Sequence, residues 1–120
     1  MGKLLVHITH GPEAPTRAAL GLLVARAAID QGHEVSVFLA GDAVQLIRRP
    51  VLDALAGLGT GSLGESFNAV VEGGGRFYVS GMSSKARGVD DADLADRPAE
   101  FAMPSKLVEL TFEADRVLTY

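Results

Sequence analysis

The chain has 120 residues, no cysteine or tryptophan, 48% hydrophobic and 22% charged residues, and a formal net charge of -4. At 12.5 kDa, surface scaling gives roughly 6,200 Å² exposed when folded against about 18,000 Å² unfolded, enough burial for one domain over residues 1–120 without staples. Lack of cysteine excludes a disulfide framework, thiolate zinc, iron-sulfur clusters and a cysteine nucleophile or persulfide carrier, and 15 acids against 11 Lys and Arg argue against a nucleic-acid partner.

The first strand is predicted over Lys3 to Thr9, where Leu4, Leu5, Val6 and Ile8 form a short apolar run broken by His10-Gly11-Pro12. A helix follows from Ala14 to Gln31, rich in Ala, Leu and Arg, with Gly32 where a left-handed cap belongs. His33 to Leu39 alternates into β-branched and aromatic residues and makes the second strand, so the opening is a β-α-β unit. Short helical stretches are expected at Ala43 to Ile47 and, with Pro50 in the first turn, at Val51 to Leu58. Ser62-Leu63-Gly64-Glu65 has capping-box spacing before a helix that stops at Gly73-Gly74-Gly75. Arg76 to Ser80 reads as a third strand, and Gly81 to Gly88 as a loop or short helix. Pro104 introduces a helix over Ser105 to Glu113, and Asp115 to Thr119 closes as a last strand.

Strands alternating with helices imply a three-layer α/β/α domain with a mainly parallel sheet and a flavodoxin-like layer order. Ligands in such folds sit beyond the carboxyl ends of the strands. The segments to search are His10 to Pro12, Ala40 to Asp42 and Ser80 to Arg87, with Phe101 to Ser105 as a loop folding over them. The start lacks a long apolar segment with a cleavage site, and the longest apolar run, Ala18 to Ala25, is too short for a bilayer, so no membrane association and a cytoplasmic location are expected.

Gly59-Thr60-Gly61-Ser62-Leu63-Gly64 spells the dinucleotide fingerprint, but a helical stretch rather than a buried strand precedes it, so turn glycines are the better reading and no cofactor is assigned. His7 and His10 straddle the end of a strand and face opposite sides. His7 is expected to be a hydrogen-bonded core residue and His10 to sit at a pocket rim. The acids Asp90, Asp91, Asp93, Asp96 and Glu100 lack a calcium-loop pattern and read as solvated surface; no metal is expected. The Ser80 to Gly88 segment is richest: Ser80, Ser83 and Ser84 supply hydroxyls, two glycines allow close backbone approach, and Lys85 and Arg87 are cations, a combination suited to a small molecule or anion. A serine nucleophile, Ser80 or Ser83 with His10, in a hydrolase or transferase is the alternative, though no third orienting group is recognisable. Between Arg17 and Arg26 eight consecutive residues are non-polar, so the helix needs cover on more than one side; a second subunit is the expected source and a neighbouring helix of the same chain the alternative.

The residues also resemble a known family. The first strand with His10-Gly11-Pro12-Glu13, the small-residue helix, Gly32 to Leu39 with the following Asp42, and above all Phe77-Tyr78-Val79-Ser80-Gly81-Met82-Ser83-Ser84-Lys85-Ala86-Arg87-Gly88 are similar to the DsrE/DsrF-like proteins of intracellular sulfur metabolism, the YchN-like fold. The resemblance implies trimers or hexamers, and loop sites near subunit contacts that carry persulfide on cysteine. Ser80 and Ser83 stand where cysteines are common. A hydroxyl forms no stable persulfide and undergoes no disulfide exchange. The resemblance therefore implies a non-catalytic member, a homotrimer or homohexamer that binds a small molecule or anion or forms a complex with a cysteine-bearing sulfur-relay partner. Its ligand-binding residues would be His10, Asp42, Ser80, Gly81, Ser83 and Arg87.

Overall fold

In the computed structural model, which describes residues 1–120, the opening apolar run forms β1 (Lys3–Ile8) and the chain turns into α1 (Pro15–Asp30). Pro15 lies in the first turn, where no N–H is needed, and Gly32 leaves the helix at φ +83°. Next come β2 (Glu34–Leu39), a 3-10 helix (Gly41–Ile47) and α2 (Arg49–Ala54). A small antiparallel pair, β3 (Ala56–Gly57) and β4 (Gly61–Ser62), leads into α3 (Leu63–Glu72). Then follow β5 (Arg76–Ser80), α4 (Gly81–Arg87), α5 (Asp91–Leu94), β6 (Ala99–Ala102), α6 (Pro104–Glu113) and β7 (Arg116–Thr119).

Five strands pair in parallel in the order β6-β5-β2-β1-β7. The chain steps outward from β1 to β6, and α6 then carries it back to the far side of β1. Register sets the two faces, because side chains alternate along a strand. Val6 beside Val37 and Leu39 beside Val79 face α1 and α3, whereas Leu5 beside Ser36 and Phe38 beside Tyr78 face α6. The first face holds a core of 21 buried residues, in which Phe67 of α3 stacks on Phe77 of β5 with ring centres 4.3 Å apart. The second holds Leu5, Phe38, Ala102 and Leu110. The exposed surface, 6116 Å², agrees with the scaling expectation. No helix is long and apolar enough to cross a membrane.

Several local expectations need correction. The helix expected over Val51 to Leu58 ends at Ala54, because the next residues dock on α1 instead: Leu58 N–H donates to Thr16 Oγ1 at 3.1 Å, and a Cβ on Gly57 would come within 3.1 Å of the Thr16 backbone. Tertiary contact overrides helix propensity here. Residues Phe101 and Ala102, read as part of a loop, belong to edge strand β6. That strand is four residues long, carries the charged Glu100 and lies between Pro98 and Pro104, so no apolar alternation marks it. The capping box at Ser62 is half formed, with Ser62 Oγ accepting from Glu65 N–H at 3.3 Å. His7 is not a hydrogen-bonded core residue: its Nε2 is buried without a partner and its ring stands edge-on to Phe38. The acidic stretch is not all solvated surface either, since Asp90 and Asp93 cap α5 and Asp93 pairs with Arg48 at 3.3 Å.

The apolar first helix finds most of its cover within the chain. Ala18, Ala19, Leu22, Ala25 and Ala28 are buried against the sheet and α3, and Gly21 lets Ile8 approach so closely that a Cβ would meet its side chain at 2.8 Å. Leu20 and Ala27 are exposed, and Leu23 and Val24 partly so.

Candidate functional site

The end of β5 and the start of α4 share one residue. Ser80 is the last strand residue and the N-cap of α4, its Oγ accepting from Ser83 N–H at 3.2 Å. Gly88 closes the helix at φ +71° as its left-handed cap. Because β2 and β5 are neighbours in the sheet, this turn lies beside the one that follows β2. Ser83 Oγ accepts from Gly41 N–H at 2.9 Å, joining the two turns. Arg87 completes the join: Nε donates to Asp42 Oδ1 at 3.0 Å and a terminal N–H to the Ser83 carbonyl at 3.2 Å.

The β1 turn reaches the same place. A Cβ on Gly11 would lie 2.3 Å from the Asp42 carbonyl oxygen, so only glycine permits this approach. His10 beside it hydrogen-bonds through Nδ1 to Glu13 Oε2 at 2.8 Å, and Glu13 Oε1 accepts from Gly11 N–H at 2.5 Å. Burial pushes the Glu13 carboxyl up, but the bonds from Gly11 and His10 outweigh it and hold the group below its ordinary value. The β6–α6 connection does fold over the turn, for a Cβ on Gly81 would lie 3.6 Å from Met103 Sδ. Met82 and Met103 are both exposed beside it.

The fold thus links Ser80, Ser83, Arg87 and Asp42 through hydrogen bonds, with Gly81 within the same turn and the His10 turn packed against Asp42. Neither serine hydrogen-bonds to His10, whose Nδ1 is engaged by Glu13. Both hydroxyls accept from backbone N–H groups, and Arg87 is tied to a carboxylate and a carbonyl. The arrangement is a clamp between turns, and such groups fix backbone shape. Sequence reasoning missed two participants, Glu13 and the Gly41 N–H, whereas Ser84, read as a third hydroxyl of the segment, is buried with its Oγ unpartnered and takes no part in the clamp. Glu13, three residues from His10, was within reach of a spacing argument; the Gly41 contact needed the strand order.

The family assigned to DsrE/DsrF-like proteins matches this sequence over residues 2–120. The chain belongs to that family. Among solved structures, the YchN protein from E. coli is 20% identical with a TM-score of 0.82, each chain covered over 100% of its length. A protein of unknown function, MTH1491 from Methanobacterium thermoautotrophicum, is 16% identical with a TM-score of 0.75, again over 100% of both chains. A conserved protein of unknown function, BT1422 from Bacteroides thetaiotaomicron, is 12% identical with a TM-score of 0.72, over 99% of this chain and 95% of that one. At these identities the likeness speaks for the fold. No curated protein matches.

Proposed function

We propose that this family member is a non-catalytic, complex-forming subunit related to intracellular sulfur transfer, working in the cytoplasm as a homotrimer or homohexamer that docks a cysteine-bearing relay partner. One observation carries the reading: the hydroxyls of Ser80 and Ser83, in the turn where the family resemblance leads one to look for thiols, serve as acceptors that hold the turn's shape. An oxygen so placed supports the geometry of the site and supplies no sulfur carrier. The engagement of Arg87 by Asp42 favours this reading over a small-molecule or anion site at the same turn, since the cation already has its counter-charge.

The test mixes the purified protein with a cysteine-bearing family member from the same cell and follows assembly by native mass spectrometry and sulfane transfer by mass shift. A complex in which the homo-oligomer carries the bound partner, transferring sulfur faster than the partner alone, is expected. Components that stay separate, with the partner's rate unchanged, overturn the proposal.

A further inference from the structure

At the amino ends of the strands, opposite the Ser80–Arg87 turn, a cavity of about 320 Å³ lies between the last turns of α1 and the start of β7. Its apolar wall is Leu4, Val24, Ala27 and Ala28, and the small side chains at 27 and 28 leave the room. The volume falls at the low end of the range for small-molecule sites, ~300 to 1,000 Å³.

The polar rim is held in place by bonds within the chain. Gly2 N–H donates to His33 Nδ1 at 2.9 Å, which in the neutral ring puts the proton on Nε2 and makes that atom a donor. His33 Nε2 has no partner within the chain. Asp115 Oδ2 accepts from Lys3 N–H at 2.7 Å while Asp115 N–H donates to the Lys3 carbonyl at 2.9 Å, and Lys3 Nζ pairs with Glu34 at 3.5 Å. Arg116 uses one N–H, toward the Asp115 carbonyl at 2.7 Å. The rest of its guanidinium fork is free. At the end of α1 the carbonyls of Ala27, Ala28 and Ile29 already accept from Gln31, His33 and Gly32, so they present no bare row of acceptors to an anion.

We infer that this cavity binds a small carboxylate with an apolar body, the carboxylate received by the Arg116 fork and His33 Nε2–H and the body lying on Leu4, Val24, Ala27 and Ala28. A planar fork matches a carboxylate in two parallel hydrogen bonds, and one guanidinium with one neutral donor suits a single negative charge better than a phosphate. The site is independent of the Ser80–Arg87 turn and of its proposed role.

Sodium hexanoate is the probe, titrated into the labelled protein and followed by amide NMR. Saturable shifts confined to residues around Lys3, Leu4, Gln31, His33 and Arg116 are expected, at an affinity of about millimolar for so small a ligand. 1-Hexanol should bind at least ~10-fold more weakly, because it cannot use the fork. Arg116→Gln should weaken hexanoate by about 10-fold, with Arg116→Lys in between, and Ala27→Trp should fill the cavity and abolish the shifts. Arg116 and Ala27 are exposed, so both variants are expected to keep the fold, which an unchanged dispersion of the remaining amide signals checks. Absence of saturable shifts, shifts elsewhere in the chain, equal binding of hexanol, or hexanoate binding unchanged in Arg116→Gln would each overturn the inference.

Discussion

The two faces of the sheet are filled to different degrees. On one, α1 and α3, with Val89, Leu94 and Phe101 from the β5–β6 connection and β6, close over a core of 21 buried residues. On the other, α6 covers a core of four. Geometry explains the gap: five strands spaced ~4.8 Å span roughly 19 Å between the outer axes, and one helix of about 10 Å diameter shields only part of that. Val108 and Phe112 of α6 are exposed, as is Val117 of β7, which register places on the same face as Leu5. The fully dressed face holds most of the core, and the thinly dressed one leaves apolar side chains in water.

The largest effect should separate the two cores. Phe67→Ala removes a ring stacked on Phe77 and lying under the Arg97 guanidinium, at an expected cost of about 3–5 kcal/mol. Leu110→Ala, in the smaller core, should cost about 2 kcal/mol, nearer the lower limit for such truncations. Urea unfolding of both variants checks this. Equal losses would erase the contrast between the faces.

Assembly gives the next largest. If a second copy covers the α6 face, Phe112, 87% exposed in the single chain, belongs to its interface. Phe112→Asp should then weaken association by roughly 2 kcal/mol or more, while folding stability stays within about 0.5 kcal/mol. Sedimentation velocity should move from an oligomer toward the 12.5 kDa monomer. An assembly untouched by Phe112→Asp points instead to the strip on α1 formed by Leu20, Leu23, Val24 and Ala27, the surface that the run of apolar residues in the sequence had suggested.

That run shows how far sequence could be read. The strands at Leu4–Ile8, Val35–Leu39 and Phe77–Val79 were legible because each is short, mostly apolar and rich in β-branched, aromatic or leucine side chains, interrupted only by His7 and Ser36. The glycines at 73–75 and Gly32 marked helix ends through backbone needs that are local. β6 and the β3–β4 hairpin were illegible, for their stability comes from pairing with β5 and from docking on Thr16, contacts made across distance in sequence. The candidate turn divides the same way. Ser80 as an N-cap is local, whereas the Arg87–Asp42 pair joins positions 45 residues apart and exists only because β2 and β5 are neighbours. The cavity at the other end draws on three separated segments, so no motif could announce it.

His7 offers a test of the thin face by pH. Burial holds its imidazole below the ordinary value of 6.5, and its Nε2 has no partner to stabilise a proton. The unfolded chain therefore binds this proton more readily. Stability should be full above pH 6.5 and decline as pH falls below it, because protonation then favours the unfolded state. His7→Gln should flatten that decline between pH 7.5 and 5, measured by urea midpoint. An unchanged slope in the variant would assign the acid sensitivity to other groups and remove His7 from the account.

The smallest effects belong to the clamp at the carboxyl ends. Ser83→Ala deletes the acceptor for Gly41 N–H, and the loss of one partly buried hydrogen bond should cost about 1 kcal/mol. Asp42→Asn should cost about 0.5 kcal/mol, because the Arg87 pair is partly exposed and screened by water. The two changes act on one joint, since Arg87 also bonds the Ser83 carbonyl, so their sum should differ from the double variant's loss. Additive losses would mean that the β2 and β5 turns are held separately. In that case the serine hydroxyls would no longer be the parts that fix the site's shape, and fluorophosphonate labelling of Ser80 or Ser83 would become the decisive measurement, with no labelling expected from hydroxyls that form no hydrogen bond with His10.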